Sequence, residues 1–203
     1  MPKNAWPYLT PGLPGNLFRQ DGVPLSKKEV RALVMAGARL RADSLVYDIG
    51  AGSGGFTVEA ALLAGHGTVW AVEKNPQAIK VLRHNLDRWK LANVRVVEGE
   101  APEALMRLPK PDRVLIGGSG GRLKEILEAV MPVLPADGRL VLTAVQPETL
   151  SFALQELEKW PGWRAEAMLA QFSHLEQAGE ARIWRAANPV VIVAAERKEG
   201  HDG

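Results

Sequence analysis

The sequence predicts an α/β fold, a seven-stranded, mostly parallel sheet with an antiparallel C-terminal strand and helices on both faces. Three observations carry that expectation. Short β-rich runs alternate with helical segments from Ser44 to Ala144. Runs such as Arg113-Val114-Leu115-Ile116 are nearly all apolar, as strands covered by helices on each side must be. The stretch Asp48-Ile49-Gly50-Ala51-Gly52-Ser53-Gly54-Gly55 joins an apolar run to a helix-like segment through a glycine turn. Right-handed crossovers then wind the sheet in both directions.

The chain's bulk properties suit this architecture. Its 203 residues suffice for one well-cored domain and are short for two. A formal charge of +2, from 25 basic and 23 acidic residues, leaves no electrostatic footprint for nucleic acid. With no cysteine, disulfides, thiolate metal sites and a cysteine nucleophile are excluded. Pro2, Pro7, Pro11 and Pro14 interrupt the amino terminus where a secretion signal would be apolar. No apolar run reaches membrane-spanning length, so no membrane partner is expected and the cytoplasm is the default location.

Residues 1–24, rich in proline and glycine, read as an extended arm with Trp6, Tyr8, Leu9, Leu17 and Phe18 as apolar anchors. A single domain follows over 25–196, and 197–203 read as a frayed tail. Ser26-Lys27-Lys28-Glu29 has the capping-box form, and Val30, Leu33, Val34 and Leu40 continue at helical spacing, so a helix is predicted from Lys27. Strand 45–49 leads into a helix to about Ala64. Strand 68–73 leads into a helix opened by Asn75-Pro76 and ending near Lys90. Strand 94–98, a short helix from Pro102, strand 113–116, a helix from about Arg122 and strand 139–144 complete the alternation. After a helix from Glu148 to about Trp160, two β-compatible stretches, about 163–172 and 190–195, close the sheet as an antiparallel pair. Their connection is polar and holds Gly179, Arg182, Trp184, Arg185, Asn188 and Pro189.

In such a sheet, ligands bind beyond the carboxyl ends of the strands where the strand order reverses. The first glycine loop satisfies two patterns. Gly50, Gly52 and Gly55 fit the dinucleotide spacing, with Glu73 placed as a ribose acid. Asp48, two residues before Gly50, would repel a pyrophosphate but suits a ligand with an ammonium and a sulfonium, which favours S-adenosyl-L-methionine. A glycine turn that binds nothing is the remaining alternative. Gly99-Glu100-Ala101-Pro102 follows the third strand, where an acid and a small residue could border an adenine ring. Gly117-Gly118-Ser119-Gly120-Gly121 follows the fourth, where a bulky substrate could lie against the backbone. His66, His84, His174 and His201 lack metal-ligand spacing, so no protein-bound metal is expected.

The succession Gly22-Val23-Pro24-x-Ser26-x-x-Glu29-Val30-Arg31, the loop from Asp48 to Gly54, Glu73-Lys74-Asn75-Pro76, the run from Glu98 to Leu105 and Ile116-Gly117-Gly118-Ser119-Gly120-Gly121 resembles the cobalt-precorrin C15-methyltransferase (decarboxylating) family of cobalamin (vitamin B12) biosynthesis. The likeness covers about residues 16–145. It implies a Rossmann-like class I methyltransferase fold. It also implies methylation of C15 of a ring-contracted tetrapyrrole, with loss of carbon dioxide from the C12 acetate. Carried over by position, S-adenosyl-L-methionine would contact Ser26, Gly50, Ala51, Gly52, Ser53, Gly54, Glu73 and Ala101. Ser26 stands where threonine is common in the family, and Glu100 where aspartate is common. Gly117, Gly118, Ser119, Gly120 and Arg122 are candidates for the substrate loop, and no catalytic residue is singled out. A substrate with many carboxylates calls for cations, for which Arg122, Arg182 and Arg185 are candidates. The family likeness further implies a homotetramer. An RNA methyltransferase and a non-catalytic module that keeps the fold are the alternatives.

Overall fold

A computed structural model describes residues 6–198. Helix α1 (Lys28–Ala38) precedes the alternating series β1 (Leu45–Ile49), α2 (Gly55–Leu63), β2 (Thr68–Glu73), α3 (Pro76–Trp89), β3 (Val94–Glu98), β4 (Arg113–Ile116), α4 (Leu123–Val130) and β5 (Arg139–Ala144). Helix α5 (Pro147–Glu158) and strands β6 (Trp163–Ala170), β7 (Ser173–Ala178), β8 (Ala181–Ala186) and β9 (Val190–Arg197) follow. Seven strands form one sheet in the order β3-β2-β1-β4-β5-β9-β6. Strand β9 runs antiparallel to both neighbours, and the remaining pairings are parallel. The order reverses between β1 and β4.

The alternation of side chains along each strand separates two cores. Val46, Val69, Leu115 and Val141 pack with Val34 of α1, Val58 of α2 and Leu82 of α3 on one face. Ile49, Val114, Ile116 and Leu142 pack with Ile126 and Leu127 of α4 and Leu157 of α5 on the other. Helix α3 starts as its sequence predicts. The Asn75 side chain accepts from the amides of Gln77 and Ala78, and Pro76 occupies the first turn, where its missing N–H costs nothing.

Four local expectations are corrected. The capping box at Ser26 does not form. Helix α1 is capped at Lys27 without a side-chain bond, so it starts one residue later than a Ser26 cap requires; the Ser26 carbonyl accepts from the Arg31 guanidinium. The segment after Pro102 is a single 3-10 turn, Glu103–Leu105. The polar connection after β6 is a two-stranded ribbon, β7 with β8. All its residues are exposed, so no burial pattern marked it in the sequence. Arg197, placed in a frayed tail, is the last residue of β9. The rest of that tail from Glu199 on, like residues 1–5 of the arm, lies outside the described residues.

The arm packs onto the domain's own helices. Glu59 of α2 accepts from the Gly12 amide (2.7 Å), the Leu13 amide (3.1 Å) and Arg31 Nε (2.7 Å). Arg31 also donates to the Leu13 carbonyl, and its guanidinium lies 4.9 Å from the Phe18 ring centroid. Both charged side chains are fully buried. Such a pair adds little net stability, yet removing one partner costs roughly 3–5 kcal/mol. Further along, the Arg19 amide donates to Asn85 Oδ1 (2.8 Å) and Asn85 Nδ2 donates to the Arg19 carbonyl (2.9 Å).

Candidate functional site

The ends of β1, β2, β3 and β4 enclose a cleft of about 210 Å³ at the point where strand order reverses. Ile49, Val72 and Ile126 give it an apolar floor. Gly50, Glu73, Lys74, Glu100, Ala101, Gly118, Ser119 and Gly120 form its walls. Both glycine loops extend the parallel ladder, with the Gly50 amide on the Val72 carbonyl (2.9 Å) and the Gly117 amide on the Ile49 carbonyl (2.9 Å). The loops then approach each other closely. A Cβ on Gly50, whose φ is +73°, would stand 2.4 Å from the Gly118 carbonyl oxygen, a distance at which main chain must move.

Glu73 ends β2 with its carboxylate held by three amides. Oε2 accepts from Gly52 (2.9 Å), and Oε1 accepts from Lys74 (2.9 Å) and Asn75 (2.8 Å). An ionised carboxylate offers about four acceptor directions, so capacity remains for a further donor. The same carboxylate fixes the glycine loop through Gly52. Ser53 faces away from the cleft, its hydroxyl donating to the Pro24 carbonyl (2.9 Å) while its own carbonyl accepts from Asn85 Nδ2 (2.8 Å). Gly54 packs toward Leu82.

Asp48 corrects the electrostatic reading of this loop. It points from β1 into the core beneath the loop, fully buried, and accepts from Thr57 Oγ1 at 2.5 Å. Its second oxygen is buried without a hydrogen-bond partner. Burial pushes its carboxyl up to about 7, opposed by the Thr57 hydrogen bond and aided by the nearby Glu73 charge. Asp48 lies below the loop and does not line the cleft.

Of the residues expected around a cofactor, the structure brings Gly50, Glu73 and Ala101 to the cleft, along with Gly118, Ser119 and Gly120 of the expected substrate loop. Ala51, Gly52, Ser53, Gly54 and Gly117 are not among the residues that line it. Ser26 does not line it. That residue is exposed on a separate hollow with Lys28 and His174. Arg122 grips Glu103 through two bonds of 2.6 and 2.8 Å. That pairing raises the guanidinium's pKa and lowers the carboxyl's. Arg182 and Arg185 stand on the β7–β8 ribbon, with Arg185 paired to Glu176. The sequence reading missed Lys74, whose Nζ sits 2.6 Å from Glu100 Oε1 across the cleft wall. Only its adjacency to Glu73 could have signalled it.

The donor set suits S-adenosyl-L-methionine. An acid stands at the end of β2 for a ribose diol, apolar side chains floor a slot for a base, and glycine main chain borders the space where charged ends would lie.

A family model described as the precorrin methyltransferase domain matches residues 16–197. The cobalt-precorrin-6B C(15)-methyltransferase (decarboxylating) of Salmonella typhimurium is 36% identical over 184 residues, covering 91% of this chain and 95% of its own. The crystal structure of precorrin-6y C5,15-methyltransferase from Geobacter metallireducens superposes with a TM-score of 0.88 at 38% identity, covering 94% of this chain and 100% of that one. Precorrin-8W decarboxylase from Methanobacterium thermoautotrophicum gives 0.84 at 33% identity, over 90% and 98%. A match of this extent, with the cleft at the same switch of strand order that a Rossmann-like methyltransferase uses, makes the chain a member of the precorrin methyltransferase domain family.

Proposed function

We propose that this protein methylates C15 of a cobalt-precorrin, with S-adenosyl-L-methionine as donor, and releases carbon dioxide from the C12 acetate. The cobalt is carried by the substrate. The observation that supports this reading most directly is the glycine-walled cleft with Glu73 on its edge, in a chain whose full-length relatives bear that activity in their names. The cofactor supplies an electrophilic methyl on a sulfonium. Glu73 would hold its ribose, Ala101 and the apolar floor its base, and the loop from Gly50 to Gly54 its amino-acid end.

The chain's own part in the reaction is placement. In-line displacement with a neutral leaving group needs the acceptor carbon aligned and water kept out. The bare main chain of Gly118 and Gly120 leaves room for a large planar ring to approach. The tetrapyrrole's conjugated system can take up the electrons freed by decarboxylation, so the protein has no need of a separate organic electron sink.

Incubation with methyl-labelled cofactor and either a cobalt-precorrin or bulk RNA tests the assignment. Label in the tetrapyrrole with release of carbon dioxide is the expected result, and label only in RNA overturns it. This reading carries with it a cytoplasmic homotetramer. Exposed Leu175, Ile183 and Trp184 on the ribbon support self-association. Sedimentation should give four chains, and a monomer at working concentration would remove that part.

A further inference from the structure

At the amino ends of the parallel strands, opposite the cleft, lies a hollow of about 490 Å³ lined by six arginines. Arg39 follows α1 and Arg41 precedes β1. Arg113 and Arg139 open β4 and β5, Arg164 lies in β6, and Arg197 ends β9. The antiparallel course of β9 delivers Glu196 and Arg197 to this end. Arg113 and Arg139 are buried, at 4% and 8% exposure.

The acids here are unevenly spread. Arg41 has three, being paired with Asp137 and within 3.4 Å of Asp112 and 3.6 Å of Asp43. Glu196 alone serves three guanidinium groups, those of Arg39 (3.2 Å), Arg139 and Arg164 (2.5 Å). Glu166 adds attraction toward Arg139 from β6. Arg197 rests on the Trp163 ring, 5.4 Å from its centroid. Each guanidinium carries five N–H donors, whereas one carboxylate offers about four acceptor directions. Arg139 Nε also donates to the Gly37 carbonyl (2.7 Å), but among the described residues Glu196 is the one carboxylate within salt-bridge distance of Arg39, Arg139 and Arg164, so this side of the hollow is short of negative charge. Arg139 registers the deficit: burial, then the charges of Arg39, Arg113 and Arg164, lower its pKa.

We propose that this hollow binds a small, multiply charged oxyanion, held by the fork-shaped donors of Arg39, Arg139 and Arg164. Planar guanidinium groups match the oxygen spacing of phosphate and carboxylate alike, so either group meets the requirement. The site stands apart from the cleft and does not rest on the reaction proposed above.

The test is calorimetric titration of the whole protein, in phosphate-free buffer of low ionic strength, with pyrophosphate and separately with tricarballylate. Saturable binding of one anion per chain, weakening as potassium chloride is added, is expected for at least one of them. Which of the two binds identifies the chemical class. The double variant Arg39→Gln/Arg164→Gln changes two side chains that are 66% and 61% exposed, so the fold should keep its melting temperature. Its affinity should be roughly tenfold or more weaker. No saturable heat with either anion, or unchanged affinity in the double variant, would overturn the proposal.

Discussion

At the carboxyl ends of the parallel strands, two glycine loops bring main chain to the cleft, with Glu73 fastened to three amides. At their amino ends the polar groups are guanidinium side chains sharing a few acids. The first arrangement is rigid and has no redundancy, because two main chains touch at Gly50 and Gly118 with no side chain to give way. The second is redundant, because several long side chains can redistribute around one carboxylate. A single substitution should therefore be severe at the first end and mild at the second.

The largest expected effect lies with Asp48. Its folded carboxyl titrates at about 7 against an ordinary 3.8. Between those values the folded protein keeps a proton that the unfolded chain has released. Stability therefore falls as pH rises from about 4 to about 7 and levels off above, by up to about 4 kcal/mol. Asp48→Asn should remove that slope, so that melting temperatures agree only at about pH 4 and below, and the variant becomes progressively the more stable up to about pH 7. Parallel curves would show that the buried acid does not govern this end.

Next comes Gly50→Ala, whose Cβ must displace the Gly118 backbone. Affinity for S-adenosylhomocysteine, measured by calorimetry, should fall roughly a hundredfold, as an ångström-scale misplacement does. Gly118→Ala meets no protein atom within 4 Å, so the melting temperature and this affinity should change less than in Gly50→Ala, although the added methyl faces the space proposed for the tetrapyrrole. Equal losses in the two variants would break the contrast between touching and open main chain. Glu73→Ala should weaken the same ligand roughly 10- to 100-fold, the value of one charged hydrogen bond or slightly more. Smallest of all, Arg39→Gln alone should change unfolding free energy by less than about 1 kcal/mol in urea denaturation. A larger loss would mean that the arginine end is as exacting as the glycine end.

Much of this contrast could be read from the sequence at one end and little at the other. Strand, glycine turn and helix are consecutive in the chain, so Gly50, Glu73, Ala101, Gly118, Ser119 and Gly120 could be found by local pattern and carried to a common rim by the parallel topology. Asp48 showed the limit of that approach. Its position was legible, but the parity of β1 turned its side chain into the core toward Thr57. Ser26 likewise had a local motif, but the helix takes Lys27 as its cap and leaves the serine outside it. The hollow at the other end was invisible, since its arginines are scattered from position 39 to 197 and only strand order, with β9 inserted between β5 and β6, assembles them. The β7–β8 ribbon escaped for a different reason, having no buried face to impose an alternation.

The Glu59 carboxylate makes the arm a structural support of the helical layer. The amides of Gly12 and Leu13 bond to an acid 47 and 46 residues further on, and the same acid holds Arg31 of α1. Where the arm runs into α1, the Pro24 carbonyl accepts from the Ser53 hydroxyl of the glycine loop. One stretch of chain is thus stitched at one end to a buried ion pair and at the other to the cofactor loop, so a lesion in the arm, remote from the cleft in sequence, would remove a brace from the loop itself.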